Sequence, residues 1–173
     1  MPFRLPKPDE MRQKGGQNHM TTSHLIDEFL SIKRFAMVGV SRNKRDFSRR
    51  LFDELIDQGY DVVPVNPGAV AIEGRRCFGK VQEIEPRVSS ALLMTPPAIT
   101  DRILLECADA GITLAWVYGI SGERDLSPDA LKISNSHGIK IVPGYCPFMF
   151  MPEPALHHWL HALVWKAIGR YPN

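Results

Sequence analysis

Five short, mostly apolar runs constrain this 173-residue chain more than anything else in it: Phe35 to Val40, Asp61 to Pro67, Ser89 to Met94, Ile112 to Tyr118 and Ile139 to Val142. Each run is closed by glycine, proline or asparagine, and most of the intervals carry apolar residues at helical spacing. Leu51, Phe52, Leu55 and Ile56 follow the first run, Ile99, Ile103, Leu104 and Cys107 follow the third, and a helix opening at Ser127-Pro128-Asp129 and stopping at Gly138 follows the fourth. Nearly continuous apolar runs of this length suit strands buried on both faces, which need helices above and below them. The alternation therefore predicts an α/β protein with a Rossmann-like, about five-stranded parallel sheet, right-handed crossovers and helices on both faces.

The segments outside this alternation are read separately. Residues 1–22 are rich in proline, glycine and polar side chains and are expected to form an extended or disordered arm. Residues 23–150 form the domain, opening with Ser23 as the N-cap of a short helix over Leu25 to Leu30 that should cover one end of the sheet. Val70 to Phe78 reads as irregular, and Val81 to Ile84 as one or two helical turns. Residues 151–173 carry Leu156, Leu160, Leu163, Val164 and Ile168 near helical spacing, beside Trp159 and Trp165. They predict an extra C-terminal amphipathic helix, packed on the domain or at a subunit contact, so a homo-oligomer stays open.

The most informative stretch is the first strand-to-helix junction, where Gly39 ends the strand and Val40-Ser41-Arg42-Asn43-Lys44-Arg45-Asp46-Phe47-Ser48 leads into the helix. In a parallel sheet such a junction lies at the carboxyl ends of the strands, and the free N–H groups of the helix start favour an anion. Ser41 and Ser48 offer hydroxyls, and Arg42, Lys44 and Arg45 offer positive charge for a phosphorylated ligand. The dinucleotide pattern G-x-G-x-x-G is incomplete, because Ser41 stands where its second glycine would be. A turn glycine with a solvated basic loop is the competing interpretation. A net charge of +2 with interleaved signs gives no electrostatic case for nucleic acid. No apolar run approaches the roughly 20 residues that span a bilayer, and the polar start lacks a signal-peptide core, so a cytoplasmic location without membrane contact is expected.

Taken together, the strand ends Gly39-Val40-Ser41, Val65-Asn66-Pro67, Thr95-Pro96-Pro97, Tyr118-Gly119-Ile120 and Gly144-Tyr145-Cys146-Pro147 resemble those of the CoA-binding domain family, the small stand-alone relatives of the CoA-binding domain in the succinyl-CoA synthetase alpha subunit. The resemblance spans about residues 30 to 150, within the several-residue uncertainty of boundaries read from sequence. It implies CoA as cofactor and a CoA or acyl-CoA small-molecule partner. By the same resemblance Gly39, Ser41, Arg42, Asn43, Lys44 and Ser48 hold the CoA phosphates, and Val65, Asn66 and Pro67 lie beside the adenosine. Thr95, Pro96 and Pro97 line the cofactor, Tyr118, Gly119 and Ile120 run along the pantetheine arm, and Cys146 faces its thiol. The synthetase carries a lysine just after the second-strand turn, where this chain has Gly68-Ala69-Val70, so one phosphate contact is missing. Its phosphorylated histidine lies in a later domain outside the resemblance, so the synthetase reaction is not expected to carry over.

Cys77, Cys107 and Cys146 are odd in number and lack metal-type spacing, which argues against structural disulfides. Cys107 reads as packing, and Cys146 as packing or as a redox partner of CoA. His157 and His161 share a helix face, but His158 stands where H-E-x-x-H has glutamate, so no metal site is expected. Asp53, Glu54 and Asp57 read as the wet face of the first crossover helix. The leading reading is thus a CoA or acyl-CoA binding protein. The alternatives are an NAD(P)-dependent oxidoreductase, which would need more than Asn66 at the second strand end to read a ribose, and an enzyme of acyl-CoA metabolism that depends on a partner chain.

Overall fold

A computed structural model describes residues 21–151. The elements run α1 (Thr22–Ser31), β1 (Arg34–Val38), α2 (Phe47–Asp57), β2 (Asp61–Val65), β3 (Ala71–Ile72), β4 (Arg75–Arg76), β5 (Ser90–Leu93), α3 (Pro97–Ala110), β6 (Leu114–Tyr118), α4 (Pro128–His137) and β7 (Lys140–Tyr145). Single 3-10 turns at Val81–Glu83, Gly122–Asp125 and Pro147–Met149 complete the path. Five strands form a parallel sheet in the order β2-β1-β5-β6-β7. The expected α/β architecture is therefore present, with the outer helices split between the two faces.

Alternation along each strand decides which helices it can carry. Ala36, Ala91 and Ala115 are register partners across β1, β5 and β6, so a row of small side chains crosses the sheet. Onto this face pack Ile103, Leu104 and Cys107 of α3 and Ala130 of α4. The next row, Met37, Leu92, Trp116 and Val142, is bulky and faces the other way. There it meets Phe29 of α1 and Leu51, Phe52 and Leu55 of α2, with the Phe29 ring edge-on to Trp116 at 5.4 Å. The indole N–H of Trp116 donates to the Tyr145 carbonyl at 2.9 Å, so even this fully buried ring has its polar atom satisfied.

Local chemistry sets most element ends. Ser127 caps α4 through the Ala130 N–H at 2.8 Å, Pro128 fills its first turn, and Gly138 closes it in the left-handed region. Three expectations change. The N-cap of α1 is Thr21, whose hydroxyl receives the His24 N–H, rather than Ser23, which lies inside the helix. Instead of covering one end of the sheet, α1 lies across a face, with Leu25, Ile26 and Phe29 in the core. The stretch expected to be irregular contains the β3–β4 hairpin, in which Glu73 and Gly74 both take positive φ. Two-residue strands are too short to show a period, and that turn was their only local signal. Beyond the hairpin, Phe78 donates its N–H to Pro64 and accepts from Asn66, which covers the outer edge of β2.

Candidate functional site

Strand order reverses between β1 and β5: the chain moves from β1 outward to β2, then returns to the other side of β1. In an open α/β sheet the crevice outside the carboxyl ends of the strands at such a reversal is where ligands bind. Here that crevice, of about 280 Å³, is lined by Gly39, Ser41, Asp46, Phe47, Ser48, Met94 and Tyr118. Four expected site residues thus meet: Gly39, Ser41, Ser48 and Tyr118. Asp46, Phe47 and Met94 join them unforeseen.

Gly39 is required by two constraints. Its φ is +90°, and a Cβ there would stand 2.8 Å from the Met94 carbonyl oxygen and 3.4 Å from Cγ2 of Thr95. Its N–H donates to the Val65 carbonyl at 2.9 Å, while Met94 N–H donates to Val38 at 2.8 Å. The three strand ends are therefore sewn together at this glycine.

The following loop is held by its own side chains. The Ser48 hydroxyl, in the first turn of α2, accepts the Ser41 N–H at 3.0 Å and donates to Asp46 Oδ1 at 2.8 Å. Asp46 caps α2 by accepting the Ser48 N–H at 2.9 Å. Ser41 Oγ receives the Asn43 N–H, and Asn43 Oδ1 receives the Arg45 N–H. Arg42, Asn43 and Lys44 stand exposed on the rim rather than in the crevice. Lys44 pairs with Glu73 of the hairpin turn at 3.0 Å, and Glu73 also pairs with the buried Arg49 of α2. Arg49 in turn reaches Asp53 at 3.1 Å, so part of the expected wet face of α2 balances a buried charge.

The other expected residues, Val65, Asn66, Pro67, Thr95, Pro96, Pro97, Gly119, Ile120 and Cys146, are not among those lining the crevice, and their strand ends are braced separately. Asn66 spends its amide on backbone, donating to the Val40 carbonyl at 2.8 Å and accepting the Gly68 N–H at 2.8 Å, which ties the β2 end to the Gly39 loop. Val65 is buried in β2 and Pro67 is exposed on the turn. The Thr95 hydroxyl sits 2.9 Å from that of Thr100, and Pro96 and Pro97 open α3 with no side-chain cap. Past β6, Gly119 and the exposed Ile120 lead into Ser121, and Asp125 Oδ2 accepts the N–H groups of Ile120 and Ser121 at 2.7 and 2.6 Å. Gly144 at φ +57 leaves room for this clamp, since a Cβ there would collide with the Gly122 carbonyl.

Aromatic rings bridge the far wall: Phe47 lies 5.2 Å from Tyr118 and 5.8 Å from Phe148. Burial raises the Tyr118 hydroxyl above its ordinary pKa, with Cys146 and Asp125 adding to the effect. Cys146 is itself buried, and its thiol is pushed up to about 11 by that burial against two backbone N–H groups that oppose the shift. All three cysteines are free thiols, and Cys107, buried in α3, is pushed up to about 12. Among the described residues no group of three His, Cys, Asp or Glu gathers as metal ligands, and no helix is long and apolar enough to cross a membrane. His157, His158 and His161, and the expected C-terminal helix, lie outside the described residues.

What the sequence did not disclose was side-chain bookkeeping at distance: Arg49 with Glu73, Asn66 with Val40, Asp125 with the Ile120 loop, Phe47 with Tyr118. The one available signal was Asp46 two residues before Ser48, a capping arrangement at a helix start.

Comparison with known proteins places this geometry. Residues 33–152 match the family profile described as CoA binding domain. The chain is 24% identical over 129 residues to the alpha subunit of ADP-forming acetate–CoA ligase II from Pyrococcus furiosus, a match covering 70% of this chain and 28% of that one. It is 29% identical over 117 residues to ADP-forming acetate–CoA ligase II from Archaeoglobus fulgidus, covering 63% and 17%. The matched stretch is thus less than a third of either curated relative. Among solved structures, a hypothetical protein from Pyrococcus horikoshii OT3 superposes with a TM-score of 0.65 at 23% identity, over 78% of this chain and 92% of that one, which shows the shared fold. With its sheet reversal, its glycine-closed first strand and a profile match running through nearly all of the described domain, the chain belongs to the CoA-binding domain family.

Proposed function

We propose that this chain binds CoA or an acyl-CoA, with the phosphates at the loop from Gly39 to Ser48 and the pantetheine arm running toward Tyr118, Gly119 and Ile120. The observation that carries the reading is the convergence of the Gly39 loop, Met94 and Tyr118 on one crevice at the sheet reversal, in a chain of this family. Ser41, Ser48 and Asn66 contribute chiefly by holding the loop in shape, since their polar atoms already have partners within the protein. Arg42 and Lys44 supply charge from the rim, and Lys44 exchanges Glu73 for a ligand phosphate. Thr95, Pro96 and Pro97 follow Met94 at the start of α3 and would contact only a ligand extending beyond the crevice.

Cys146 contributes packing after the β7 end rather than thiol chemistry, because a thiol pushed up to about 11 by burial carries almost no thiolate at neutral pH. The domain supplies a cofactor site, and any ligase reaction would draw its remaining chemistry from another domain or chain. Titration calorimetry with CoA tests this. Binding is expected, and replacing Arg42 and Lys44 together by alanine should weaken it about tenfold and flatten its salt dependence. Absence of CoA binding, or binding of NADH in its place, would overturn it.

A further inference from the structure

The two outer edges of the sheet are finished differently. On β2 the chain covers its own edge through Phe78, whose N–H and carbonyl bond Pro64 and Asn66. Outside β7 no strand lies among the described residues. Lys140 turns its N–H inward to the Thr113 carbonyl at 2.9 Å, so backbone alternation aims the N–H and carbonyl of Ile141 outward. Pro143, two residues on, has no N–H to offer, and sheets confine such a residue to edges and bulges. The open stretch is therefore short. Beside it a groove of about 570 Å³ runs between α1 and α4. Leu25, Leu126, Leu131 and Ile141 give it apolar walls, with Leu131 41% exposed, and Glu123 gives it negative charge, whereas Lys140 is engaged by Glu28 of α1. Thr22, the first residue of α1, also lines the groove, so the segment of residues 1–20 reaches the domain at the groove itself.

That segment carries matching features. Phe3-Arg4-Leu5 alternates apolar, basic and apolar, and Pro2 and Pro6 on either side limit its backbone donors to a few residues, as Pro143 limits the edge. Arg4, Lys7, Arg12 and Lys14 outnumber Asp9 and Glu10, which is the sign that Glu123 attracts. At about 3.3 Å per residue the segment reaches about 65 Å, far more than the roughly 17 Å of edge from Gly138 to Pro143. Gly15-Gly16 lets it reverse on the way. We propose that residues 1–20 of this chain dock in this groove, with Phe3 to Leu5 adding a short strand at Ile141, Phe3 and Leu5 packing on Leu126 and Leu131, and the basic residues facing Glu123. A second copy pairing edge to edge fits less well, because Lys140 and Pro143 are residues that blunt an edge against a long partner strand.

The test uses the whole chain, mixed in equal parts from unlabelled and isotope-labelled protein and treated with a short amine-reactive cross-linker. Mass spectrometry then separates links within a chain from links between chains. The expected result is Lys7 joined to Lys132 or Lys140 of its own chain in preference to Lys33, Lys44 or Lys80. In a second measurement, hydrogen exchange at the Ile141 amide should quicken at least about fivefold in the full-length variant Phe3→Asp with Leu5→Asp, while that of Leu92 in β5 stays unchanged. Links spread evenly over the domain, links formed only between chains, which would make a second copy the occupant, or an Ile141 amide indifferent to the variant would each overturn the proposal. None of these outcomes bears on CoA binding in the crevice.

Discussion

Gly39 carries the sharpest consequence of a single side chain. A methyl group at φ +90° and 2.8 Å from the Met94 carbonyl forces apart the β1 and β5 ends, so Gly39→Ala should cost about 2 kcal/mol or more, read as a lower urea midpoint at unchanged slope. The need for glycine was legible from its place after an apolar run; the carbonyl that excludes a side chain, 55 positions on, was not. The buried thiols make a second prediction. Cys107 and Cys146 have folded-state values pushed up to about 12 and about 11, above the ordinary thiol value of 9.0. Their protonated form is favoured in the fold, so this contribution is fully present below about pH 9 and is lost as pH rises toward 11 and beyond. Urea midpoints should therefore fall between pH 8 and pH 10.5, and the fall should shrink in Cys146→Ser. At pH 7.5 alkylation of Cys146 by iodoacetamide should be slow until denaturant is added.

At the scale of elements, α2 and the β3–β4 hairpin depend on each other. Arg49 is buried in α2, and the hairpin turn brings Glu73 to it. Removing Glu73 leaves that guanidinium with Asp53 as its remaining ion-pair partner. Glu73→Ala should cost about 2 kcal/mol, less than the roughly 3–5 for a fully enclosed pair because Glu73 is half-exposed. It should also free Lys44 and, on the proposed function, tighten CoA binding slightly. The alanine row beneath α3 gives a packing prediction: Ala91→Leu inserts three heavy atoms between β5 and that helix, and overpacking of about 2 kcal/mol is expected in the same denaturation assay. Strand and helix types were readable from period and caps, since those signals act within a few residues. The hairpin was not, because two-residue strands derive their stability from the ion pairs and edge contacts they make rather than from a pattern of their own.

For the whole molecule, the decisive feature is the reversal of strand order at β1, which turns separate loops into one crevice. A ligand seated there contacts the ends of β1, β5 and β6 together and so opposes global unfolding. On the CoA reading, CoA at about 100 times its dissociation constant should add about 2.7 kcal/mol and raise the melting temperature by several degrees, whereas pantetheine, which lacks the phosphates, should raise it far less.

The kinds of element, their sequence and their turn residues follow from the chain itself, because apolar period, caps and glycine positions operate between near neighbours. The junction at Gly39 could be named as a tight strand-to-helix turn on those grounds alone. Tertiary structure alone decided which strands lie side by side, and that Arg49, Asn66 and Asp125 act as internal braces. Those outcomes depend on burying both sheet faces at once and on satisfying charges and backbone groups that meet only after the strands are in register.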